Sequence, residues 1–593
     1  MTIAWKNVPH PAATAFALAF FVGGALPTRA APTYHYVGEP GFKFTSPAGF
    51  PVVVPIDLSA GGYLIGLSEK DATFNDPGGG IYGWLGTPTG NTIFAGLKDA
   101  THFPDGLETE SYPIKVNNSG ISIGYSVRFD ADGHSIGTSA WVEDRVGHVL
   151  KLGYYDAAHT GSDGKMWSRP VDLNEASQVA GYSEGNSDAR TAWIDGPSMH
   201  LTRIGLLDTA HTSSDGRQWS SPVALNDLGA VVGVSRFYAG HDASTFGQST
   251  WLRQTWGEMR VVGLQSGVHR SANGLHNGNV SFLTNSGYLA GSSTRYRPGT
   301  STPNGSTAWL TAYNGPNRPV GLYTGVHTAP NGVATSVVRH LSEKGYAAGE
   351  SLQYAGANPS ASGNVGRSTW LGSPLGTTVK VGLYGSEYTF SGHQTNEIDG
   401  MDGNDGAIGH ALRYDPATGI GNGANEGEDA WLATLGGGTI RLGLTGAEYT
   451  RSDGYRYSHA YGMSESKYVW GGTTRFATAG KPAAFVGWIY DRTKGTYDTL
   501  DFSPLVGNIF FSARISDVQE STGIAIGNYS MSDGTGDHAF VYTPGEGPAD
   551  LNTVLDPKID FMLGAIVLVR PHYFVGLIEN GGHHGTVLYM VQR

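Results

Sequence analysis

The amino-acid sequence predicts an all-β protein built from about ten copies of a four-stranded repeat. Two features of the composition point this way: 88 of the 593 residues are Gly, and 11% are aromatic. Many glycines among aromatic and hydroxyl side chains are typical of short strands joined by tight turns. The aromatic content also excludes a disordered chain, because it supplies apolar surface to bury. The third feature is an internal repeat with a period near 57 residues.

A Gly on one strand and a Trp on the next mark each repeat. The Gly follows one or two apolar residues, and its ten copies are Gly66, Gly124, Gly181, Gly233, Gly291, Gly349, Gly409, Gly471, Gly527 and Gly576. The Trp occurs in eight units, at Trp84, Trp141, Trp193, Trp251, Trp309, Trp370, Trp431 and Trp488. Phe540 takes its place in the ninth unit and Val587-Leu588 in the tenth. We predict that these aromatic side chains form the core between neighbouring units.

A second Gly, usually before Leu, sets the spacing of the repeat. It follows the Trp by 12 residues in the seven units that contain both, at Gly96, Gly153, Gly205, Gly263, Gly321, Gly382 and Gly443. The first Gly of the next unit comes 28 residues later, or 27 in one unit. Length varies only between the first Gly and the Trp. Fixed spacing indicates fixed strand register and tight hairpins, whereas variable spacing indicates a surface loop.

Each unit accommodates four short strands, and four antiparallel strands repeated in tandem are typical of β-propeller blades. The tenth unit ends at its third strand, within residues 585–590. The segment Tyr36-Val37-Gly38 precedes Gly66 by the usual 28 residues, so it has the spacing of a fourth strand. We therefore predict a single large β-propeller over residues 32–593, closed by this N-terminal strand. Two five-bladed propellers are the alternative.

The ninth unit carries four short motifs in order. They are Ile515-Ser516-Asp517, Gly523-Ile524-Ala525-Ile526-Gly527, His538-Ala539-Phe540 and Asp550-Leu551-Asn552. This pattern resembles the HAF-type bacterial extracellular repeats, and the resemblance extends over nearly all of residues 32–593. It implies export and a propeller-like all-β fold. It implies no particular activity.

Residues 1–31 have the pattern of a secretory signal peptide. Lys6 precedes an apolar run over residues 12–26, and Ala30 and Ala31 offer small residues for cleavage. The run is shorter than the roughly 20 residues that a membrane helix needs. We therefore predict signal removal and export to the periplasm or the extracellular space, with a signal anchor as the alternative. We expect no membrane span after the signal is removed.

Charge and composition limit the classes of partner. The chain has 38 Lys and Arg against 51 Asp and Glu, a formal net charge of −13, and no long basic run. We therefore expect no nucleic-acid partner, because nucleic acid is bound through basic patches. The chain has no Cys, which excludes disulfides and thiolate chemistry. We expect a monomer that binds carbohydrate or a cell-surface protein.

A His or Tyr recurs six residues after the second Gly of seven units. These candidate binding residues are His102, His159, His211, His269, His327, Tyr388 and Tyr449. They fall in the segment that joins one unit to the next, on the same face as the variable loop. Because the pattern repeats, we favour a structural interpretation in which each ring hydrogen-bonds to a neighbouring unit. The functional alternative is a ring of imidazoles and phenols that binds a ligand.

Two further aromatic residues are candidates for binding. Trp167 and Trp219 follow Asp-Gly turns, and we predict that they are exposed in loops. The Asp-Gly turns themselves lack the dense Asp-x-Asp-x-Asp pattern of calcium loops, so we interpret them as structural turns. We predict neither a metal site nor a cofactor.

The regularity of the repeat favours a non-catalytic binding or scaffold protein. The alternative is a carbohydrate-active enzyme, either a glycoside hydrolase or a polysaccharide lyase. Propeller enzymes place their carboxylates on separate blades, where spacing along the chain reveals nothing. We expect function on the face with the variable loops, and a catalytic site where the repeat is broken. The acidic residues there are Glu397, Asp399, Asp402, Asp405 and Glu426-Gly427-Glu428-Asp429.

Overall fold

The computed structural model describes residues 34–36, 52–69, 80–103, 109–185, 188–196, 200–354, 364–390, 393–414, 427–477, 483–507, 510–533, 537–554, 562–570, 573–580 and 583–590. Within these residues the protein is all-β, with short helical turns between strands. No helix in these ranges combines the length and apolar character needed to cross a bilayer. The predicted signal peptide, residues 1–31, lies outside the described residues.

The strands are numbered in chain order, and β1 (Tyr34–Tyr36) precedes the first unit. Units 1 to 5 each contain four consecutive antiparallel strands. They are β2 (Val52–Leu58), β3 (Leu64–Glu69), β4 (Ile81–Gly86) and β5 (Thr92–Phe94); β6 (Ser111–Val116), β7 (Ser122–Phe129), β8 (Ser135–Glu143) and β9 (Val149–Leu152); β10 (Met166–Leu173), β11 (Val179–Glu184), β12 (Arg190–Asp195) and β13 (Thr202–Ile204); β14 (Ser220–Leu225), β15 (Val231–Tyr238), β16 (Phe246–Arg253) and β17 (Met259–Val262); β18 (Gly278–Leu283), β19 (Tyr288–Tyr296), β20 (Pro303–Ala312) and β21 (Arg318–Val320).

Units 6 to 9 repeat this arrangement, and unit 10 has three consecutive strands. They are β22 (Ala334–Leu341), β23 (Ala347–Tyr354), β24 (Asn364–Gly372) and β25 (Thr378–Val381); β26 (Gln394–Met401), β27 (Gly406–Leu412), β28 (Glu428–Thr434) and β29 (Gly438–Leu442); β30 (Ser458–Met463), β31 (Tyr468–Arg475), β32 (Ala484–Asp491) and β33 (Thr496–Leu500); β34 (Phe510–Val518), β35 (Ala525–Met531), β36 (Asp537–Thr543) and β37 (Gly547–Asp550); β38 (Met562–Arg570), β39 (Tyr573–Asn580) and β40 (His583–Met590). Two short helices complete the described elements. Helix α1 (Ser503–Val506) precedes β34, and helix α2 (Leu551–Val554) follows β37.

The repeated Gly and Trp are cross-strand neighbours. In unit 4, Gly233 of the second strand lies opposite Trp251 of the third strand. A Cβ atom on Gly233 would lie 2.3 Å from Trp251 Cζ2 and 2.4 Å from the Ser221 carbonyl oxygen. The indole ring therefore occupies the space that any larger residue would need, which explains why the two residues recur together.

The Trp side chains form the core between units, as the sequence predicts. Trp251 of unit 4 is fully buried and packs in one cluster with Ala180, Ile194 and Ile204 of unit 3. The other seven repeat tryptophans are also buried. Units 1 to 9 thus each bury the third strand against a neighbouring unit, and these sheets stack face to face.

Hydrogen bonds between hairpin turns also join successive units. The Asn117 side-chain amide donates to the Asn174 carbonyl oxygen at 3.2 Å. Asn174 donates in the same way to Asn226 at 2.9 Å, and Asn226 donates to Thr284 at 2.9 Å. The turns between first and second strands therefore form one connected row over units 2 to 5.

The N-terminal strand pairs with the last unit. Tyr34, His35 and Tyr36 lie opposite Tyr589, Leu588 and Val587 in antiparallel register. The prediction from Tyr36-Val37-Gly38 is therefore confirmed for the pairing, with the strand beginning two residues earlier than expected. Val37 and Gly38 lie outside the described residues.

Unit 1 also contacts unit 10. Asp57 of β2 accepts a hydrogen bond from the Arg570 guanidinium of β38 at 3.3 Å. Leu58, Leu64 and Trp84 share a buried cluster with Val575 of β39. The first and last units in the chain are thus neighbours in space.

Candidate functional site

The His series of the inter-unit segments bonds to the third strand of the following unit. In each case Nε2 lies 2.9 Å from the hydroxyl of the residue two positions before the repeat Trp. The pairs are His102–Ser139, His159–Thr191, His211–Ser249, His269–Thr307 and His327–Ser368. Tyr388 keeps this geometry with a carboxylate, since its hydroxyl donates to Asp429 at 2.6 Å.

The second ring nitrogen of these histidines is engaged as well. Nδ1 lies 2.7 to 2.8 Å from an Asp carboxylate three residues earlier in the first three members, at Asp99, Asp156 and Asp208. In His269 and His327 it contacts a backbone carbonyl at 3.2 to 3.3 Å. This geometry supports the structural interpretation of the series. A ligand-binding role for these residues, and for Tyr449, stays a prediction.

Trp167 and Trp219 are half-buried and do not lie in loops. Trp167 is part of β10, and Trp219 makes an isolated bridge with Arg190. The guanidinium groups of Arg190 and Arg236 lie 5.0 and 5.3 Å from the Trp219 ring centroid. The prediction of exposed loop aromatics is wrong for both residues, because cationic side chains and neighbouring strands cover them.

A Gly-x-Ser-x-Gly pattern occurs at Gly181-Tyr182-Ser183-Glu184-Gly185, but its geometry is not that of a nucleophile. Ser183 lies within the regular strand β11 and is fully buried. Its hydroxyl bonds to Ser168 at 3.0 Å and accepts from the Trp193 indole at 3.2 Å. The pattern is a consequence of the repeat and not a catalytic elbow.

A group of four ionisable side chains lies between units 7 and 8. We call Asp399, His410, Glu428 and His459 the His–carboxylate cluster. The four groups alternate around a closed circuit of contacts. Asp399 Oδ2 lies 2.8 Å from His410 Nδ1, and Glu428 Oε1 lies 2.7 Å from His459 Nδ1. The other two edges, His410 Nε2 to Glu428 and His459 Nε2 to Asp399, measure 3.9 and 3.8 Å.

Four different strands position the cluster. Asp399 is on β26, His410 on β27, Glu428 opens β28, and His459 is the second residue of β30. Asp399 lies at a register shift between Ile398 and Gly400, which removes it from the regular pairing of β26. Glu428 follows directly after the variable loop of unit 7, so the cluster lies toward the loop-rich face.

The cluster is a departure from the repeat. His410 follows the repeat residue Gly409 and lies opposite Glu397, and His459 holds the equivalent place to Glu397 in unit 8. The same cross-strand pairs in units 1 to 6 contain no His. They are Val54–Leu67, Tyr112–Tyr125, Arg169–Tyr182, Ser221–Val234, Asn279–Ser292 and Val337–Glu350. The arrangement is therefore not required by the architecture of a unit.

The side chains of the cluster are ionisable and only partly exposed to solvent. Its side chains range from 11% exposed for Glu428 to 21% for His459, so they are shielded but reachable from solvent. Burial opposes a charge on His410, but the Asp399 and Glu428 carboxylates outweigh it and raise its pKa to about 9. Arg367 neutralises the adjacent Glu397 through a 2.8 Å contact. The two histidines are thus left facing two carboxylates.

A second ionic group lies beside the cluster. Asp429 accepts hydrogen bonds from Arg413 at 2.9 Å and from Arg456 at 2.8 Å, and both arginines also contact Glu387. The Arg456 contact joins unit 7 to the segment that leads into unit 8, and the Tyr388 bond to Asp429 joins unit 7 to the segment that follows unit 6. They hold Glu428, the neighbour of Asp429, in a fixed position.

The acidic residues singled out from the sequence separate into two sets. Glu397, Asp399 and Glu428 meet at the cluster. Asp402 and Asp405 lie in the hairpin turn that follows β26, where Asp402 binds Arg492 at 2.9 Å and Asp405 accepts a hydrogen bond from the Leu435 backbone. Glu426 lies outside the described residues.

Sequence reasoning missed both histidines of the cluster. His410 and His459 are single residues in different units, and nothing in their immediate neighbours distinguishes them. The available signal was their position in the repeat, since each occupies the cross-strand pair next to the repeat Gly.

Comparison with known proteins gives no family. No family model and no curated protein matches the chain. Among solved structures, Porphyromonas gingivalis dipeptidyl peptidase 4 is 8% identical with a TM-score of 0.36, and the match covers 79% of this chain and 63% of that chain. A post-proline cleaving enzyme from Rickettsia typhi is 9% identical with a TM-score of 0.32, covering 63% and 50%. A glycosyl hydrolase from Bacteroides ovatus is 10% identical with a TM-score of 0.19, covering 50% and 98%. The chain matches less than two thirds of either peptidase, and likeness at this level assigns no activity.

Proposed function

We propose that the protein is an exported, non-catalytic binding protein of the HAF-repeat type. In this proposal residues 32–593 form one closed ten-bladed β-propeller that presents a single polar ligand site at the His–carboxylate cluster. The ligand class is carbohydrate, with a cell-surface protein as the other partner to be tested.

The departure of the cluster from the pattern of units 1 to 6, within the part of the chain that the structure describes, carries the proposal. The recurring polar residues of the inter-unit segments are occupied in contacts between units, as His159 with Thr191 illustrates. The His–carboxylate cluster instead replaces repeat residues at one inter-unit boundary. A rigid scaffold with one divergent polar site beside a long variable loop is a common way to build a binding protein.

Two sets of contacts support closure into one ring. β1 completes the sheet of unit 10, which would otherwise end in an unpaired strand. Asp57 and Arg570 join the first strands of units 1 and 10, as Lys115 and Asp172 join the first strands of units 2 and 3. No linker breaks the repeat in the middle of the chain, which favours one ring over two.

Binding to a panel of neutral and acidic polysaccharides tests the proposed function. We expect retention of the wild-type protein by at least one polysaccharide and binding weakened about tenfold or more in Glu428→Gln, because a hydrogen bond to a charged group is worth about 1.5 to 3 kcal/mol. Ser306→Ala is the matched control, since Ser306 precedes Trp309 by the same three positions as Glu428 precedes Trp431. Equal binding by Glu428→Gln and wild type would contradict the proposed site.

A carbohydrate-active enzyme is the second candidate. The observation that favours it is the pair of carboxylates, Asp399 and Glu428, held against the same two histidines. Paired carboxylates are what glycoside hydrolysis requires. Release of reducing ends from a bound polysaccharide, lost in Asp399→Asn, would establish this candidate over the non-catalytic one.

A further inference from the structure

We propose that the His–carboxylate cluster binds a divalent transition-metal ion through Asp399 Oδ2, His410 Nδ1 and His459 Nε2. The inference rests on the proposed function, because it gives the same cluster a specific ligand. It departs from the sequence-based prediction of no metal, which had no means of bringing the two histidines together.

The geometry of the three atoms carries the proposal. Asp399 Oδ2 lies 2.8 Å from His410 Nδ1 and 3.8 Å from His459 Nε2, and all three ligand atoms lie within 4.8 Å of one another. Ligand atoms around a tetrahedral ion with bonds of about 2.0 to 2.2 Å lie roughly 3.3 Å apart. Both separations from Asp399 Oδ2 differ from this value by about 0.5 Å, and the two nitrogens lie no more than 4.8 Å apart. Rotation of the side chains therefore brings the three atoms to bonding distance.

Glu428 supplies the supporting contact expected behind a metal-binding histidine. Its Oε1 lies 2.7 Å from His459 Nδ1, so the Nδ1–H donates to the carboxylate and Nε2 keeps its lone pair toward Asp399. Its Oε2 lies 3.9 Å from His410 Nε2, on the far side of that ring from the proposed ion. The Glu428 carboxylate thereby orients the His459 imidazole and places a negative charge near the His410 imidazole.

The charges in the cluster suit a divalent cation. Asp399 and Glu428 carry two negative charges, while Arg367 already balances Glu397. Binding of the ion requires His410 to release the proton on Nδ1, and two neutral imidazoles with two carboxylates then have a net charge of −2, which one divalent ion neutralises. The mixed nitrogen and oxygen ligands favour zinc, iron or cobalt over calcium, which prefers oxygen ligands alone. Three protein ligands leave at least one coordination position open for water or for a ligand oxygen.

The chain offers an internal control. Asp130, Asp132 and His134 also place three ligand atoms within 4.8 Å of one another, but Asp132 and His134 are exposed and all three residues belong to a single hairpin. His134 contacts Asp130 at 3.6 Å, with its side chain 79% exposed. This group has neither the burial nor the supporting carboxylate of the cluster.

Titration of the mature, EDTA-treated protein with Zn²⁺ tests the inference. We expect one tight site in the wild type, weakened more than about 100-fold in His459→Gln and about 10- to 100-fold in Glu428→Gln, the usual range for an outer carboxylate. His134→Gln should bind as the wild type does. Far-ultraviolet circular dichroism verifies that each variant is folded.

Cobalt gives an independent measurement on the unaltered chain. Bound Co²⁺ at a low-coordinate nitrogen and oxygen site should absorb strongly in the visible region, unlike the weak spectrum of the hydrated ion, and excess Zn²⁺ should abolish the signal. A wild-type protein that gives only the hydrated-ion spectrum overturns the inference, whether or not the variants fold. So does a Zn²⁺ affinity that falls in His134→Gln and not in His459→Gln.

The metal titration and the polysaccharide panel test the two proposals independently. Polysaccharide binding that depends on Glu428 but is unchanged by EDTA would leave the proposed function in place and remove the metal. A tight Zn²⁺ site in a protein that retains no polysaccharide would support the metal site and contradict the proposed binding of carbohydrate.

Discussion

Tyr34 and Tyr589 lie directly opposite each other in an antiparallel strand pair, although they come from opposite ends of the chain. This pairing makes β1 the fourth strand of unit 10, the place that β5 occupies in unit 1. Loss of this strand pair should therefore lower the stability of the folded protein.

Deletion of residues 33–39 should lower the thermal stability and promote aggregation. The deletion removes β1 and exposes β40 as an unpaired edge, and each lost backbone hydrogen bond contributes about 0.5 to 1.5 kcal/mol. The measurement compares the melting temperature and light scattering of chains beginning at residue 32 and at residue 40. An unchanged melting temperature would refute closure by the N-terminal strand.

The His159–Thr191 contact should contribute to stability and not to ligand binding. His159→Phe retains the stacking on Tyr154, whose ring centroid is 4.9 Å away, but removes both ring nitrogens. We expect a loss of about 1 to 2 kcal/mol in the free energy of unfolding. A double-mutant cycle with Thr191→Val isolates the hydrogen bond. Reduced polysaccharide binding at unchanged stability would instead support the functional alternative for this series.

Gly233→Ala should destabilise the protein by about 1 to 3 kcal/mol or more. The new methyl group would overlap both the Trp251 ring and the Ser221 carbonyl, and neither can move without disturbing the boundary between units 3 and 4. Chemical denaturation followed by Trp fluorescence measures the effect. Gly196→Ala is the control, because a Cβ at Gly196 has no neighbour within 4 Å, and it should be close to neutral.

Glu143 should make stability fall as the pH rises through neutrality. Burial raises its pKa to about 7, against one hydrogen bond from the Gly96 backbone at 2.8 Å. The folded protein thus holds the proton more tightly than the unfolded chain, so the stabilisation is complete below pH 4.5 and is lost as pH passes 7. The loss reaches up to about 3 kcal/mol.

Denaturation of wild type and Glu143→Gln across pH 4 to 8 checks this. The variant should lack the decline and be the more stable protein at pH 8. Parallel curves for the two proteins would show that Glu143 does not carry the effect.

The middle of the variable loop of unit 7 should be dispensable for folding, whereas its two ends should not. Shortening residues 415–426 should leave the melting temperature unchanged and alter polysaccharide binding. Replacing residues 411–429 should unfold or weaken the protein, because that range includes Asp429 and its contacts with Arg413 and Arg456. Comparison of the two variants separates the loop from its supports.

Much of the fold followed from the sequence because spacing encodes register. The Gly233–Trp251 pair and the N-terminal strand both came from counting residues between repeat positions. The cluster did not, because a contact such as Asp399 to His459 crosses from one unit to the next, and spacing within a unit carries no information about it. Trp219 was misjudged for a similar reason, since the arginines that cover it belong to neighbouring strands.

The asparagine contacts between turns have a direction. Asn117, Asn174 and Asn226 each donate to the following unit, and the last two also accept from the preceding one. If one whole unit were duplicated and inserted into this row, its asparagine would donate to the unit after it and accept from the unit before it. Duplication of one complete repeat therefore preserves this row of asparagine hydrogen bonds, whereas a partial duplication that omits the turn interrupts it.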